Sequence, residues 1–193
     1  MKGRWVALGC YVGAIYATLP FGPWVGLRLV RTAFGGWLLG PGLPLLALAG
    51  GAAGMIFLGR RRAPRWAYAA LALSAAGYVV AFSWLRAQHL ERTHLPEYGI
   101  AAWLSWRAIE PVVPGVVASY ATAAAMAATI GYSDELLQRI VPGRYYDLRD
   151  VAMNALGAVL GVLVLAAVRA GKARHKAAAF PASAEIATHP LSR

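Results

Sequence analysis

The stretch GYSDELLQRIVPGRYYDLRDVAMNALGAVLG, Gly131 to Gly161, decides how the chain is read. Within a sequence that is 59% hydrophobic it packs together Asp134, Glu135, Gln138, Arg139, Arg144, Asp147, Arg149 and Asp150, then returns to an apolar run carrying Asn154. Of the 8 acidic residues in the chain, only Glu185 lies outside the interval from Glu91 to Asp150. Recognition or chemistry is therefore to be sought here and in the neighbouring stretch from Glu91 to Tyr98.

Asp147, Asp150, Asn154, Gly157 and Gly161 recur at helical spacing and share one face, which leads down into an apolar helix. Ahead of it, Asp134 or Glu135 aligns with Gln138, and Pro142 with Gly143 breaks that segment. In the earlier stretch Glu91, His94 and either Glu97 or Tyr98 form one stripe if the piece is helical. Ionisable groups on such faces are costly in lipid, so they should turn inward and find partners. Arg144 and Arg149 are the nearest cations.

With 14% charged residues and a mean hydropathy of +0.52 the chain reads as an integral membrane protein, not a soluble domain. The net charge of +11 does not indicate nucleic acid, because Lys and Arg stand at the ends of apolar runs and in the C-terminal tail. That distribution fits topology signals and contact with anionic membrane lipids. The single cysteine, Cys10, excludes a disulfide within the chain and a cysteine metal site. Lys2 and Arg4 before Trp5 to Leu19 imitate a secretory signal, but no small-residue cleavage pattern follows, so a retained first helix is expected.

The expected fold is all-α, a polytopic transmembrane helical bundle of about six spans. They are Trp5 to Leu19, Pro41 to Gly59, Trp66 to Leu85, Leu95 to Ile109, Val112 to Ile130 and Val151 to Val168. Trp24 to Leu39, with Arg28 and Arg31 on one face, is expected to lie at the interface. Residues 1–65 form an N-terminal hairpin with this interfacial segment, 66–169 a four-helix core, and 170–193 a disordered basic cytoplasmic tail. The positive-inside rule puts both termini in the cytoplasm. Residues 86–97 and 132–150 then emerge together outside, bringing Glu91, Glu97, Asp134, Glu135, Asp147 and Asp150 to one face.

The run Glu91-Arg92-Thr93-His94-Leu95-Pro96-Glu97-Tyr98-Gly99, followed by Glu135-x-x-Gln138, Pro142-x-Arg144, Asp147-x-x-Asp150 and Asn154-x-x-Gly157, resembles the VanZ-like family of bacterial membrane proteins over roughly Trp66 to Val168. Arg92 departs from the Lys that many members carry there, keeping the charge and changing its geometry. The resemblance implies a protein of the bacterial cytoplasmic (inner) membrane acting at the cell envelope. The family's founding member is associated with resistance to the glycopeptide antibiotic teicoplanin.

The expected ligand-binding residues are Glu91, His94, Glu97, Tyr98, Glu135, Gln138, Arg144, Asp147, Asp150 and Asn154. His94 is open as a metal ligand, a general base or a satisfied hydrogen-bonding group, and His94, Glu135 and Asp147 are the candidates should the protein be catalytic. No metal and no cofactor is assigned. One Glu-x-x-His lacks the second copy that a di-iron site needs, and Gln138 in the other segment is a poor ligand. Arg144 either grips a phosphate or is locked to Asp147 or Asp150. Asn154 is expected to hydrogen-bond between helices, and Gly157 and Gly161 to serve packing. No glycine-rich phosphate loop, serine nucleophile elbow or His-Glu-x-x-His helix occurs. The leading expectation is a binding protein for an amphiphilic envelope molecule, such as a lipid-linked precursor or lipoglycopeptide. The alternatives are an intramembrane enzyme on lipid-linked phosphate or glycan, and a structural subunit contacting other membrane subunits.

Overall fold

The computed structural model describes residues 1–85, 91–142 and 144–179, of which 174–179 as backbone alone. Among them the secondary structure is all helical: α1 (Lys2–Thr18), α2 (Gly22–Val30), α3 (Ala33–Trp37), α4 (Leu43–Arg60), α5 (Arg65–Trp84), α6 (His94–Ile109), α7 (Val116–Gln138) and α8 (Leu148–Ala179). A π-helical turn, Leu38–Gly42, joins α3 to α4, and a 3-10 turn, Glu91–Thr93, leads into α6.

Three helical stretches among the described residues are long and apolar enough to cross a bilayer: Ala33–Arg60, Arg65–Trp84 and Leu148–Ala173. A fourth arises if α1 and α2, bent by 79° where they meet, count as one span. The sequence led to six crossings. α6 falls short at 16 residues, and the run of α7 is diluted by Ser, Thr and Gly and ends on Asp134, Glu135 and Gln138. Both pack within the bundle, α6 against α1, α7 and α8.

The segment Trp24 to Leu39, expected as one interfacial piece, is divided in two. α2 ends at Val30, and the Thr32 hydroxyl accepts from the Gly35 amide at 3.0 Å to cap α3, which continues the span into α4. The continuation is kinked, because Pro41 has no N–H and Gly40 leaves helical geometry at ψ −105°. Arg92 closes that break from outside. Its Nη1 donates to the carbonyls of Leu39 at 2.7 Å and Gly40 at 2.6 Å, while Nε donates to Leu85 at 3.1 Å.

Small residues set the centre of the bundle. A methyl group at Gly161 would lie 2.5 Å from Gly99 Cα, and one at Gly157 would lie 2.5 Å from the Leu95 carbonyl, so α6 and α8 meet backbone to backbone. α5 joins α8 through Ser74 Oγ, which donates to Leu160 O at 2.9 Å. α1 is strapped on by two tyrosines, with Tyr11 donating to Glu97 O at 3.0 Å and Tyr16 to Ile130 O at 3.1 Å. At the far end Glu110 bridges Arg4 at 3.3 Å and Arg169 at 3.1 Å, and Arg61 packs beside Gly171. Helix α8 runs on to Ala179, into the part of the chain taken from sequence as tail, and 180–193 lie outside the described residues.

Candidate functional site

At the other end of the bundle the two polar segments meet. α7 continues unbroken through Ile130 to Gln138, so Asp134, Glu135 and Gln138 sit on its last turns, not on a connector, and all three are buried. α8 enters behind Asp147, whose Oδ1 accepts from the Arg149 amide at 2.8 Å as a helix cap does. The 3-10 turn and the first turns of α6 bring Glu91, His94 and Glu97. Together they border a cavity of about 390 Å³ lined by Glu91, Thr93, His94, Glu97, Asp134, Gln138, Arg144, Tyr145, Asp147 and Asp150. Ile15, Thr18, Leu19 and Gly22 close it from α1 and α2.

A hydrogen-bonded scaffold stands behind the polar wall. Asn154 Nδ2 donates to Gly131 O at 3.1 Å, which turns its Oδ1 toward His94 Nδ1 at 2.9 Å. A carbonyl oxygen only accepts, so Nδ1 carries a hydrogen, and Nε2 is the nitrogen left open when the ring is neutral. Tyr98 stacks on His94 with ring centroids 6.2 Å apart. Gln138 Nε2 donates to Asp134 Oδ2 at 3.1 Å and Glu135 Oε1 at 2.8 Å, and Glu135 Oε2 accepts from the Asp147 amide at 3.4 Å.

Of the expected residues, Glu91, His94, Glu97, Gln138, Arg144, Asp147 and Asp150 line the cavity; Glu135 stands beside Asp134; Tyr98 and Asn154 support His94 from behind. Asn154 bonds across helices and Gly157 and Gly161 pack, as the spacing suggested. Arg144 is not locked to Asp147 or Asp150: the salt bridges found among the described residues are those of Glu110. Arg144 Nε is buried without a hydrogen-bond partner among the described residues, as are Asp134 Oδ1 and Asp150 Oδ1. The cavity thus holds polar atoms unsatisfied within the fold, which is where a ligand is to be expected.

Electrostatically the cavity is acidic. Five carboxylates line it against one guanidinium, and Glu135 stands just behind. Burial, followed by the charges of Asp150 and Asp147, pushes the Glu91 carboxyl up to about 7, and Arg144 and Arg149 hold it back only in part. Near neutral pH Glu91 therefore exchanges a proton and can act as hydrogen-bond donor or acceptor.

Sequence reasoning missed the wall from α1 and α2. Ile15, Thr18 and Leu19 carry no chemical mark, and the available signal was the Pro20, Gly22, Pro23 cluster, which announced the bend that seats α2 over the cavity. Glu110 was also passed over, since its partners Arg4 and Arg169 are distant in sequence.

No curated protein and no solved structure matches the chain. Residues 93–169 match the family model described as VanZ/LLP1. The match spans α6, α7 and the α8 portion that carries Asn154, Gly157 and Gly161, leaving α5 outside the stretch compared. Apart from Glu91, the charged wall of the cavity is built from this VanZ-like stretch.

Proposed function

We propose that the protein is a binding protein of the bacterial cytoplasmic membrane, which takes the polar headgroup of an amphiphilic envelope molecule into this cavity. The molecule is a lipid-linked precursor or a lipoglycopeptide, and its apolar part stays in the bilayer. The observation carrying the proposal is the two-sided cavity, with charged groups of α6, α7 and α8 on one wall and Ile15 and Leu19 on the other. Beside it α2 exposes Trp24, Val25 and Leu27, next to Phe21. Such a helix lies in the interface and admits a headgroup while the attached chains remain in lipid.

In this reading both termini are cytoplasmic and α6 and α7 also cross, making six spans with the cavity outward. The basic end at Arg4, Arg61 and Arg169 then faces the anionic inner leaflet, in keeping with the positive-inside rule. Arg144, with its partnerless Nε, is the contact for a phosphate or carboxylate of the headgroup. His94 takes part through the hydroxyls or amides of the same group, while Glu135, behind the wall, holds Gln138 and the Asp147 amide in position.

The test is capture by the purified protein, read by mass spectrometry of lipids retained from envelope extract, alongside lipoglycopeptide susceptibility of cells that express it. Arg144→Ala, Glu135→Gln and His94→Gln should each lower capture by about tenfold, the loss of one charge-assisted contact. If all three leave capture and susceptibility at the unmodified level, the cavity is not the binding site.

A further inference from the structure

A ring nitrogen of His94 and one carboxylate oxygen each from Asp134 and Glu135 lie within 4.8 Å of one another. Donor atoms bound to one small divalent ion at about 2.1 Å stand about 3.4 Å apart in a tetrahedral arrangement, so side-chain adjustment would close this set on an ion. We propose that His94, Asp134 and Glu135 hold a divalent transition-metal ion in the floor of the cavity, with its remaining coordination positions open toward the incoming ligand.

Three features beyond the proximity of these groups support the assignment. The first is the tautomer: Asn154, fixed by Gly131 O, holds Nδ1–H of His94 and leaves Nε2 for a metal, the arrangement by which outer groups orient ligating histidines. The second is the pair of unsatisfied carboxylate oxygens. Asp134 is 2% exposed and Asp150 8% exposed, each lines the cavity, and each keeps a buried Oδ1 with no partner among the described residues. A buried carboxylate oxygen left in that condition is costly, and an ion on the Asp134 side of the cavity satisfies its Oδ1, beside which the buried Tyr98 hydroxyl also stands. The third is Gln138, whose single amide nitrogen bonds Asp134 Oδ2 and Glu135 Oε1 together, orienting the two carboxylates while leaving Asp134 Oδ1 open.

The chemical class follows from the donors. Imidazole nitrogen with carboxylate oxygens suits zinc or manganese, whereas calcium and magnesium favour sites made of oxygen alone. Such an ion would also reconcile an acidic cavity with an anionic headgroup, by presenting positive charge where the side chains present negative charge. That last consequence rests on the proposed function; the metal site itself does not.

The experiment uses the full-length protein in detergent with added lipid, stripped by a chelator, desalted, and titrated with Zn²⁺ and with Mn²⁺ in the absence of any envelope ligand. Bound metal is read by elemental analysis and the protein's state by thermal unfolding. The expected result is about one equivalent of ion per chain and a rise in unfolding temperature. Asp134→Asn and His94→Gln should each weaken binding by at least about tenfold, and Asn154→Ala by about tenfold through loss of the ring's orientation. Glu110→Gln, at the opposite end of the bundle, should bind as the unmodified protein does. Unfolding of the metal-free Asp134→Asn and His94→Gln proteins is read alongside, so that weakened binding counts only where the unfolding temperature without metal matches that of the unmodified protein. Less than a tenth of an equivalent retained, binding that Asp134→Asn and His94→Gln leave unchanged, or equal retention of Ca²⁺ would overturn the assignment. Because no lipid ligand enters the titration, its failure leaves headgroup capture standing, and failed capture leaves the metal result standing.

Discussion

Arg92 illustrates what a single residue does here that its place in the sequence does not disclose. Its position among Glu91, Thr93 and His94 suggested a charge of the outer face, yet its guanidinium is buried and spans carbonyls of two separate segments. The planar fork suits that task, whereas an ammonium on a flexible stem reaches the same acceptors without fixed directions. Arg92→Leu strands the Leu39 and Gly40 carbonyls, each at about 1–3 kcal/mol. Thermal unfolding in detergent should register the loss, and Arg92→Lys should recover part of it. An unchanged unfolding temperature for Arg92→Leu would contradict this role. His94 stands at the other extreme of legibility: its spacing from Glu91 and Glu97 marked it from the start, and so did the placing of Asn154 on the inward face of α8. The sequence could not specify the Asn154 bond that fixes the ring, because the two residues are brought together only by the packing of α6 on α8.

At the scale of helices, the close approach of α6 and α8 positions everything else. The glycine series ending in Gly157 and Gly161 was readable as a packing face, and Gly99 is its counterpart on α6. Because a Cβ at Gly161 meets backbone atoms that cannot turn aside, the helices themselves must separate if one is added. Gly161→Val should therefore destabilise the bundle by about 1–3 kcal/mol, the usual penalty for overpacking, and displace His94 from Asn154. Unfolding measurements check the first effect and loss of headgroup capture the second; Gly50→Val, at a position with open space, is the control and should change neither. The number of crossings was less legible: six were expected, and three to four helical stretches qualify among the described residues, since apolar runs in the sequence did not show that α6 ends after 16 residues or that α7 carries Asp134, Glu135 and Gln138 on its last turns. The kink at Gly40 hid the opposite way, making one span of Ala33–Arg60 look like an interfacial piece followed by a separate helix.

For the molecule as a whole, charge is sorted along the bundle. Acidic groups border the cavity at one end, and Arg4, Arg61 and Arg169 gather at the other. The meeting of the two polar segments was foreseen from the sequence; which side of the membrane each end faces belongs to the proposed function. The sequence did not reveal that the amino-terminal helix supplies the facing wall, since aliphatic residues such as Ile15 and Leu19 look alike whether they meet lipid or line a cavity. The most direct measurement is topological: in a Cys10→Ser background, single cysteines replace Glu91, Tyr145 and Arg62, and intact cells are treated with a membrane-impermeant thiol reagent. Labelling at positions 91 and 145, with position 62 reacting only after permeabilisation, is the predicted result. Labelling of 91 and 145 from opposite sides would contradict a shared cavity and, with it, the function proposed for it.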